Sequence, residues 1–301
     1  MHTSLALTSR GTALAMSNDS FGGLRRSDDA LADELTLRQR LEEDGYLYIP
    51  GFFESDAIME VRRELCAQLE RTGKLDPDFP AIDAVPCPPD KTPAYPAGAQ
   101  NFPIDRRHPT LERFLFGPRI MDFYGRFLGG APRHYDHTWI RAVSPGMGTP
   151  PHCDLVYMGR GTHNVCTAWI PYGDTPLDLG GLMMLEGSHK QSERLANYLA
   201  KDVDTYCANR SENTKKAGWL AKDPAMLREK LGGRWLTTEF KAGDLLTFGM
   251  KMVHASLDNQ SDRIRLSTDT RYQLANEEID NRWIGPDTEE WAAKNRVGLI
   301  C

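Results

Sequence analysis

His152-Cys153-Asp154, joined much later in the chain by His254 and then by Arg265-Leu266-Ser267, constrains this sequence more than any other feature. Two imidazoles and one carboxylate can fill one face of an octahedral metal ion and leave the opposite face open. To act together they must be carried into contact from distant positions. Alternation along a β-strand sends residues two apart to the same side, so His152 and Asp154 are expected to share one ion while Cys153 faces away. His254 follows Leu245-Leu246-Thr247-Phe248, a short apolar run launched from the turn Lys241-Ala242-Gly243-Asp244, which reads as a buried strand. Arg265 and Ser267 are again two apart, in the strand-like run Ile264-Arg265-Leu266-Ser267-Thr268, so guanidinium and hydroxyl should converge on one spot. A planar fork beside a hydroxyl suits a carboxylate. That carboxylate need not belong to the protein, although a structural salt bridge to one of the chain's own acids is the competing reading of Arg265.

The stretch Thr149-Pro150-Pro151-His152-Cys153-Asp154 is followed in order by Ala168-Trp169-Ile170-Pro171, Gly180-Gly181-Leu182, Glu186-Gly187-Ser188-His189-Lys190, and His254-Ala255-Ser256 through Arg265. In this order and spacing the motifs resemble the phytanoyl-CoA dioxygenase family of Fe(II)/2-oxoglutarate oxygenases. Asp44-Gly45-Tyr46-Leu47-Tyr48-Ile49-Pro50-Gly51-Phe52 resembles the same family's N-terminal segment, so the likeness covers roughly residues 30–275. An HxD pair alone recurs by chance; the succession of motifs does not. The resemblance implies a mainly β fold with flanking helices, a double-stranded β-helix or cupin-like jelly roll. It further implies iron held by His152, Asp154 and His254, 2-oxoglutarate as co-substrate with its far carboxylate on Arg265, and O2 as oxidant. Oxidative decarboxylation to succinate and CO2 would then be coupled to hydrogen abstraction from a small organic molecule. Related halogenases replace the carboxylate ligand by a small residue, so Asp154 favours hydroxylation, with desaturation, cyclisation or epimerisation as other branches.

A second HxD, His134-Tyr135-Asp136, lies near His137 and His163. His152 and Asp154 are preferred as ligands because only they follow the Gly/Pro-rich turn Pro145-Gly146-Met147-Gly148-Thr149-Pro150-Pro151 and precede Trp169 and Gly181. The His134 cluster reads as a surface or strand-edge feature, and Ser188-His189 as a turn. Thr149 and Thr167 are candidates to donate hydrogen bonds to the oxoacid, and Trp169 to wall the same cavity, against ordinary strand and turn roles. Trp139, Arg141, Tyr157, Met250 and Arg271 flank the ligand strands and are candidates for substrate contact. An inward Arg271 would suit an anionic substrate, or could pair with Asp269 or Glu277.

No long Ser/Gly linker divides the 301 residues, so one domain over residues 28–301 is expected behind a flexible tail over residues 1–27. That tail also carries a few arginines and is poor in acids, as transit peptides are, but its arginines are too few to favour that reading. A helix is expected from near Ser27 or Asp28 to Gly45, and a second from an N-cap at Ser55 to Gly73, with Ile58, Val61, Leu65 and Leu69 as its buried stripe. The proline-dense run from Asp76 to Gly98 should border the substrate entrance. Residues 191–235 read as an insertion with two short helices, either a lid, a dimer contact or surface padding. A further helix is expected near Glu289-Glu290-Trp291-Ala292. The net charge of −6 and the lack of a Lys/Arg stripe argue against nucleic acid, and no run of eighteen apolar residues suggests a membrane span. Six scattered cysteines suit reduced thiols and a cytoplasmic enzyme, a monomer or homodimer. Two other readings stay open: a jelly-roll sensor that binds metal and ligand without turnover, and a cupin-like metalloenzyme that needs no oxoacid.

Overall fold

The computed structural model describes residues 6–88, 104–208 and 217–286. In chain order the strands are β1 (Thr8–Ser9), β2 (Thr12–Ala13), β3 (Phe21–Gly23), β4 (Tyr46–Ile49), β5 (Pro132–His134), β6 (Trp139–Val143), β7 (Cys166–Pro171), β8 (Leu182–Leu185), β9 (Trp235–Thr237), β10 (Leu245–Gly249), β11 (His254–Ser256) and β12 (Arg265–Leu274). The α-helices are α1 (Glu34–Asp44), α2 (Ser55–Arg71), α3 (Pro109–Leu115), α4 (Pro118–Leu128), α5 (Leu155–Met158), α6 (Ala196–Leu199), α7 (Val203–Ala208) and α8 (Pro224–Leu231). The larger sheet runs β4-β10-β7-β12-β5, with β6 pairing β12 beside β5, and the smaller runs β11-β8-β9-β3. This is the sheet-rich jelly roll with flanking helices that the sequence implies.

Side-chain alternation divides the apolar residues into three layers. Tyr46, Tyr48, Trp169, Leu246 and Phe248 of the larger sheet meet Leu182, Met184 and Leu236 of the smaller one, forming the inner layer. The intervening residues Leu47, Ile49, Ala168, Ile170 and Leu266 point outward, onto Ile58, Val61, Leu65 and Leu69 of α2 and Ile120, Phe123 and Phe127 of α4. On the far side, Met183, Leu185, Trp235 and Ala255 pack against Leu195, Tyr198, Leu227 and Leu231. Both sheets are thus buried on both faces, and the inner layer leaves room for chemistry only where polar residues replace apolar ones.

The helix boundaries follow their caps. A 3-10 turn at Asp28–Ala30 precedes α1, which starts later than expected because Asp33 is the cap, its carboxylate accepting from the Leu35 and Thr36 amides. Gly45, at φ 79°, ends it as expected. Ser55 opens α2 as its first helical residue, and Glu54 is the cap, without a side-chain hydrogen bond.

Three expectations need correction. The described part of residues 1–27 is not a flexible tail: β1 and β2 form a hairpin, β3 pairs in parallel with β9, and Leu7 and Leu14 are buried in the outer layer of the smaller sheet. One distant carboxylate gathers the turn of the hairpin. Asp258 accepts from Thr8 Oγ1 and from the amides of Arg10, Gly11 and Gly148. Among the described residues of 191–235, three short helices stand where two were expected, and their buried residues cover the outer face of the smaller sheet. The described part of the proline-dense run also docks outside, with Ala84 packed in the α2 layer and its carbonyl accepting from the Ile264 amide. The rest of that run, and the helix expected near Glu289-Glu290-Trp291-Ala292, lie outside the described residues. Among the described residues no helix is long and apolar enough to cross a membrane. Cys66, Cys87, Cys153 and Cys166 are free thiols.

Candidate metal centre

His152 and His254 are brought together by backbone pairing: each amide donates to the other's carbonyl at 3.0 Å. The chain then leaves extended geometry. Asp154 is already helical (φ −64°, ψ −27°) at the start of α5, so the His152–Asp154 convergence is made by a turn into a helix and not by a continuous strand. Cys153 nonetheless faces away, into the outer layer of the smaller sheet. One ligand atom from each of His152, Asp154 and His254 lies within 4.8 Å of the others. Among the described residues no other group of three or more His, Cys, Asp or Glu residues does this. His134 instead stacks on Phe116 at the sheet edge, and His189 reaches the Glu42 carbonyl.

The orientation of each ligand is fixed from behind. His152 Nδ1 lies 2.8 Å from the Pro150 carbonyl and His254 Nδ1 3.0 Å from that of Met252. A carbonyl only accepts, so both rings carry their proton on Nδ1 and turn the Nε2 lone pair inward. The two Nε2 atoms stand 3.9 and 3.8 Å from Asp154 Oδ1. The other oxygen, Oδ2, accepts from Thr167 Oγ1 at 2.5 Å and from Arg271 Nη2 at 2.9 Å. One carboxylate oxygen is thereby occupied and one left for a metal. Burial and the neighbouring His254 push the His152 imidazole down to about 3, which keeps it neutral as a ligand must be. Burial alone would raise the Asp154 carboxyl, but its charged neighbours, the Arg271 guanidinium first, and the Thr167 hydroxyl hold the group well below the usual carboxylate range.

Arg265 lies on the same cavity and is 2 % exposed. Its Nη1 donates to the Gly180 carbonyl, its Nε has no partner, and no carboxylate of the described residues lies within salt-bridge distance. The salt-bridge reading of Arg265 therefore fails. Ser267 Oγ and Trp169 Nε1 are likewise buried without partners. An orphaned guanidinium, hydroxyl and indole N–H around a nitrogen-and-carboxylate donor set fit an iron site with an anionic co-ligand.

The cavity is lined by Arg141, Thr149, His152, Asp154, Trp169, Leu182, His254, Arg265, Asp269 and Arg271. Thr149 lines it as expected, while its amide donates to Ser256 Oγ. Thr167 does not serve the oxoacid, because its hydroxyl is committed to Asp154. Arg271 pairs with Asp154 and with neither Asp269 nor Glu277; Asp269 instead pairs with Arg141 at 2.9 Å. Trp139 lies over the Arg271 guanidinium at 4.1 Å, and Tyr157 stands edge-on to His152 at 5.6 Å. Met250 is a correction: it is buried with Leu155, Met158, Val165 and Trp283 as core. Sequence reading missed Asp269 and Leu182. Asp269 shares the period-two face of Arg265, Ser267 and Arg271 on β12, which was the available signal.

A model of the phytanoyl-CoA dioxygenase (PhyH) family matches residues 41–267. A 1-deoxypentalenic acid 11-beta-hydroxylase from Streptomyces arenae is 25% identical over 267 residues, covering 85% of this chain and 87% of that protein. Among solved structures, the epimerase SnoN in complex with Fe3+, alpha ketoglutarate and nogalamycin RO has a TM-score of 0.55 at 19% identity, covering 86% of this chain and 89% of that one. EctD from S. alaskensis has a TM-score of 0.54 at 16% identity, covering 95% and 93%. These structures share the fold. The family match runs from α1 through all three metal-facing residues to Arg265 and beyond, and the chain belongs to the phytanoyl-CoA dioxygenase family.

Proposed function

We infer that this protein is an Fe(II)- and 2-oxoglutarate-dependent oxygenase that hydroxylates a small organic molecule. The observation that carries the reading is Arg265: a buried guanidinium without a protein carboxylate, on the cavity that holds the His-Asp-His cluster. Such a charge is costly to bury alone and is explained by a ligand that brings the missing anion. In this reading His152 Nε2, Asp154 Oδ1 and His254 Nε2 hold the metal, and Arg265, with Ser267 beside it, holds the far carboxylate of the oxoacid. Iron and oxoacid together supply dioxygen activation and removal of a substrate hydrogen, chemistry that no side chain provides. The protein's part is orientation and exclusion of water. Thr167 and Arg271 hold Asp154 to one coordinating oxygen, and Trp169 and Leu182 close the apolar side of the cavity. The retained carboxylate of Asp154 supports hydroxylation over halogenation, and the hydroxylase named among the relatives agrees with this outcome.

The test is an anaerobic titration of the metal-free protein with Fe(II) and then 2-oxoglutarate. A visible metal-to-ligand charge-transfer band is expected, absent in Asp154→Ala and needing far more 2-oxoglutarate in Arg265→Gln. Iron binding without the band would refute the oxoacid as a ligand.

A further inference from the structure

The cavity holds a second underused guanidinium. Arg271 is 3 % exposed, spends only Nη2 on Asp154, and leaves Nε and Nη1 buried without a partner. Trp139 covers one flat face of the group, and the unused Nε–H and Nη1–H, with Cδ between them, cannot chelate one carboxylate together but can each donate a hydrogen bond to an anion in the guanidinium plane. Charge points the same way. The cavity is lined by three arginines (Arg141, Arg265, Arg271) and two carboxylates (Asp154, Asp269), which leaves one positive charge. A divalent metal and a dianionic oxoacid cancel each other, so that charge persists in the loaded site. Arg141 is neutralised by Asp269 and Arg265 by the oxoacid, whereas Arg271 shares Asp154 with the metal. The surplus thus falls on Arg271.

We propose that an unused N–H of Arg271 binds a carboxylate of the substrate, making this enzyme specific for a monoanionic organic acid. This rests on the oxygenase reading above and narrows its substrate class. A carboxylate held by Arg271 would sit beside the Asp154 side of the metal, so the oxidised carbon is one that can reach the metal while the acid group is held there. Arg271 then has two duties, positioning Asp154 through Nη2 and selecting substrate through Nε or Nη1.

The experiment uses the full chain loaded anaerobically with Fe(II) and saturating 2-oxoglutarate. Acetate, propionate and benzoate are titrated against acetamide, propionamide and benzamide while the charge-transfer band is followed. At least one acid should perturb the band saturably, with its amide weaker by about ten-fold or more. In Arg271→Gln, assayed with enough Fe(II) to offset the weaker metal binding that loss of the Asp154 contact brings, the preference for acid over amide should vanish. Should Arg271→Gln fail to hold metal, Arg271→Lys keeps the charge without the fork and should retain only a reduced preference. Thr167→Val loosens Asp154 without touching the unused N–H groups of Arg271 and should keep the preference. Equal effects of acids and amides, no effect of either, or a preference surviving in Arg271→Gln would overturn the proposal. If Arg271→Gln weakens 2-oxoglutarate more than Arg265→Gln does, Arg271 is the co-substrate anchor and the proposal is also overturned. A band that never forms is the separate failure of the oxygenase reading.

Discussion

Arg265→Met is expected to make the ligand-free protein more stable while disabling its response to 2-oxoglutarate. Burial pushes the Arg265 guanidinium down from its ordinary value to about 10, a penalty on the charged form of about 3 kcal/mol. That cost is fully present at neutral pH, where the unfolded chain carries the charge in water, and is relieved only as pH rises through the folded value. Against it stands one hydrogen bond, from Nη1 to the Gly180 carbonyl, whose loss leaves a buried acceptor and costs about 1 kcal/mol. Methionine fills similar volume without charge, so a net gain of about 2 kcal/mol follows, or roughly 4–8 °C in Tm for a domain of this size. The assay is thermal unfolding of wild type and Arg265→Met with Mn(II) in place of iron, with and without 2-oxoglutarate. Wild type should rise by several degrees on adding the oxoacid, as ligand binding to the folded state requires, and the variant should not. A variant less stable than wild type without ligand, or one still stabilised by 2-oxoglutarate, would refute the view that Arg265 is a charge held in reserve for this anion.

Asp154→Ala should abolish metal binding and also destabilise the metal-free protein by about 3–5 kcal/mol, because Arg271 is left as an uncompensated buried charge; denaturant titration checks this. Thr167→Val removes one of the two donors to Asp154 Oδ2 and should weaken Fe(II) or Co(II) affinity by about 10–100-fold, read by metal titration, with the fold intact. Acidification should cost the metal-free protein stability. The folded His152 value lies below that of the unfolded chain, so the unfolded state takes up a proton first and stability falls as pH drops from about 6.5 toward 3. Urea midpoints across that range, flattened in His152→Gln, measure this. Asp258→Ala should cost about 3–5 kcal/mol, free the N-terminal hairpin to protease, and loosen the turn before His152, since one carboxylate holds Thr8, Arg10, Gly11 and Gly148.

The unequal legibility of this chain in its sequence has a physical basis. Period-two alternation was readable wherever a strand lies between two layers: Arg265, Ser267, Asp269 and Arg271 share the inner face of β12, and Leu266 points outward. The α2 stripe was readable for the same reason at period 3.6. Composition misled at the N-terminus, because Ser, Thr and Gly are as suitable for a hairpin held by a buried carboxylate as for a solvated tail. What decides between them is Asp258, 250 residues from Thr8, and no local signal reports such a partner.

The same limit explains the assignments that changed inside the site. Thr167, Arg141 and Arg271 were each recognised as inward residues with useful chemistry, but the partners they take within the protein were not foreseen: Asp154 for Thr167 and Arg271, and Asp269 for Arg141. A side chain's partner is set by strand register, which pairs Arg141 with Ser267 and Arg271 with Thr167 across β12, and register is a property of the assembled sheets. That register places Thr167 and Arg271 together on Asp154 and leaves Arg265 beside no acid at all. The difference between the two arginines, one committed through a single N–H and one without any carboxylate, is therefore a consequence of sheet pairing. It is also what separates a residue that shapes the metal site from one that waits for the co-substrate. Asp269→Asn, which removes the acid paired with Arg141, should free this third arginine to compete with Arg265 for the oxoacid and weaken discrimination between 2-oxoglutarate and shorter oxoacids. Unchanged co-substrate selectivity in that variant, measured by competition in the charge-transfer titration, would mean that the Arg141–Asp269 pair does not keep the two guanidinium groups apart in function.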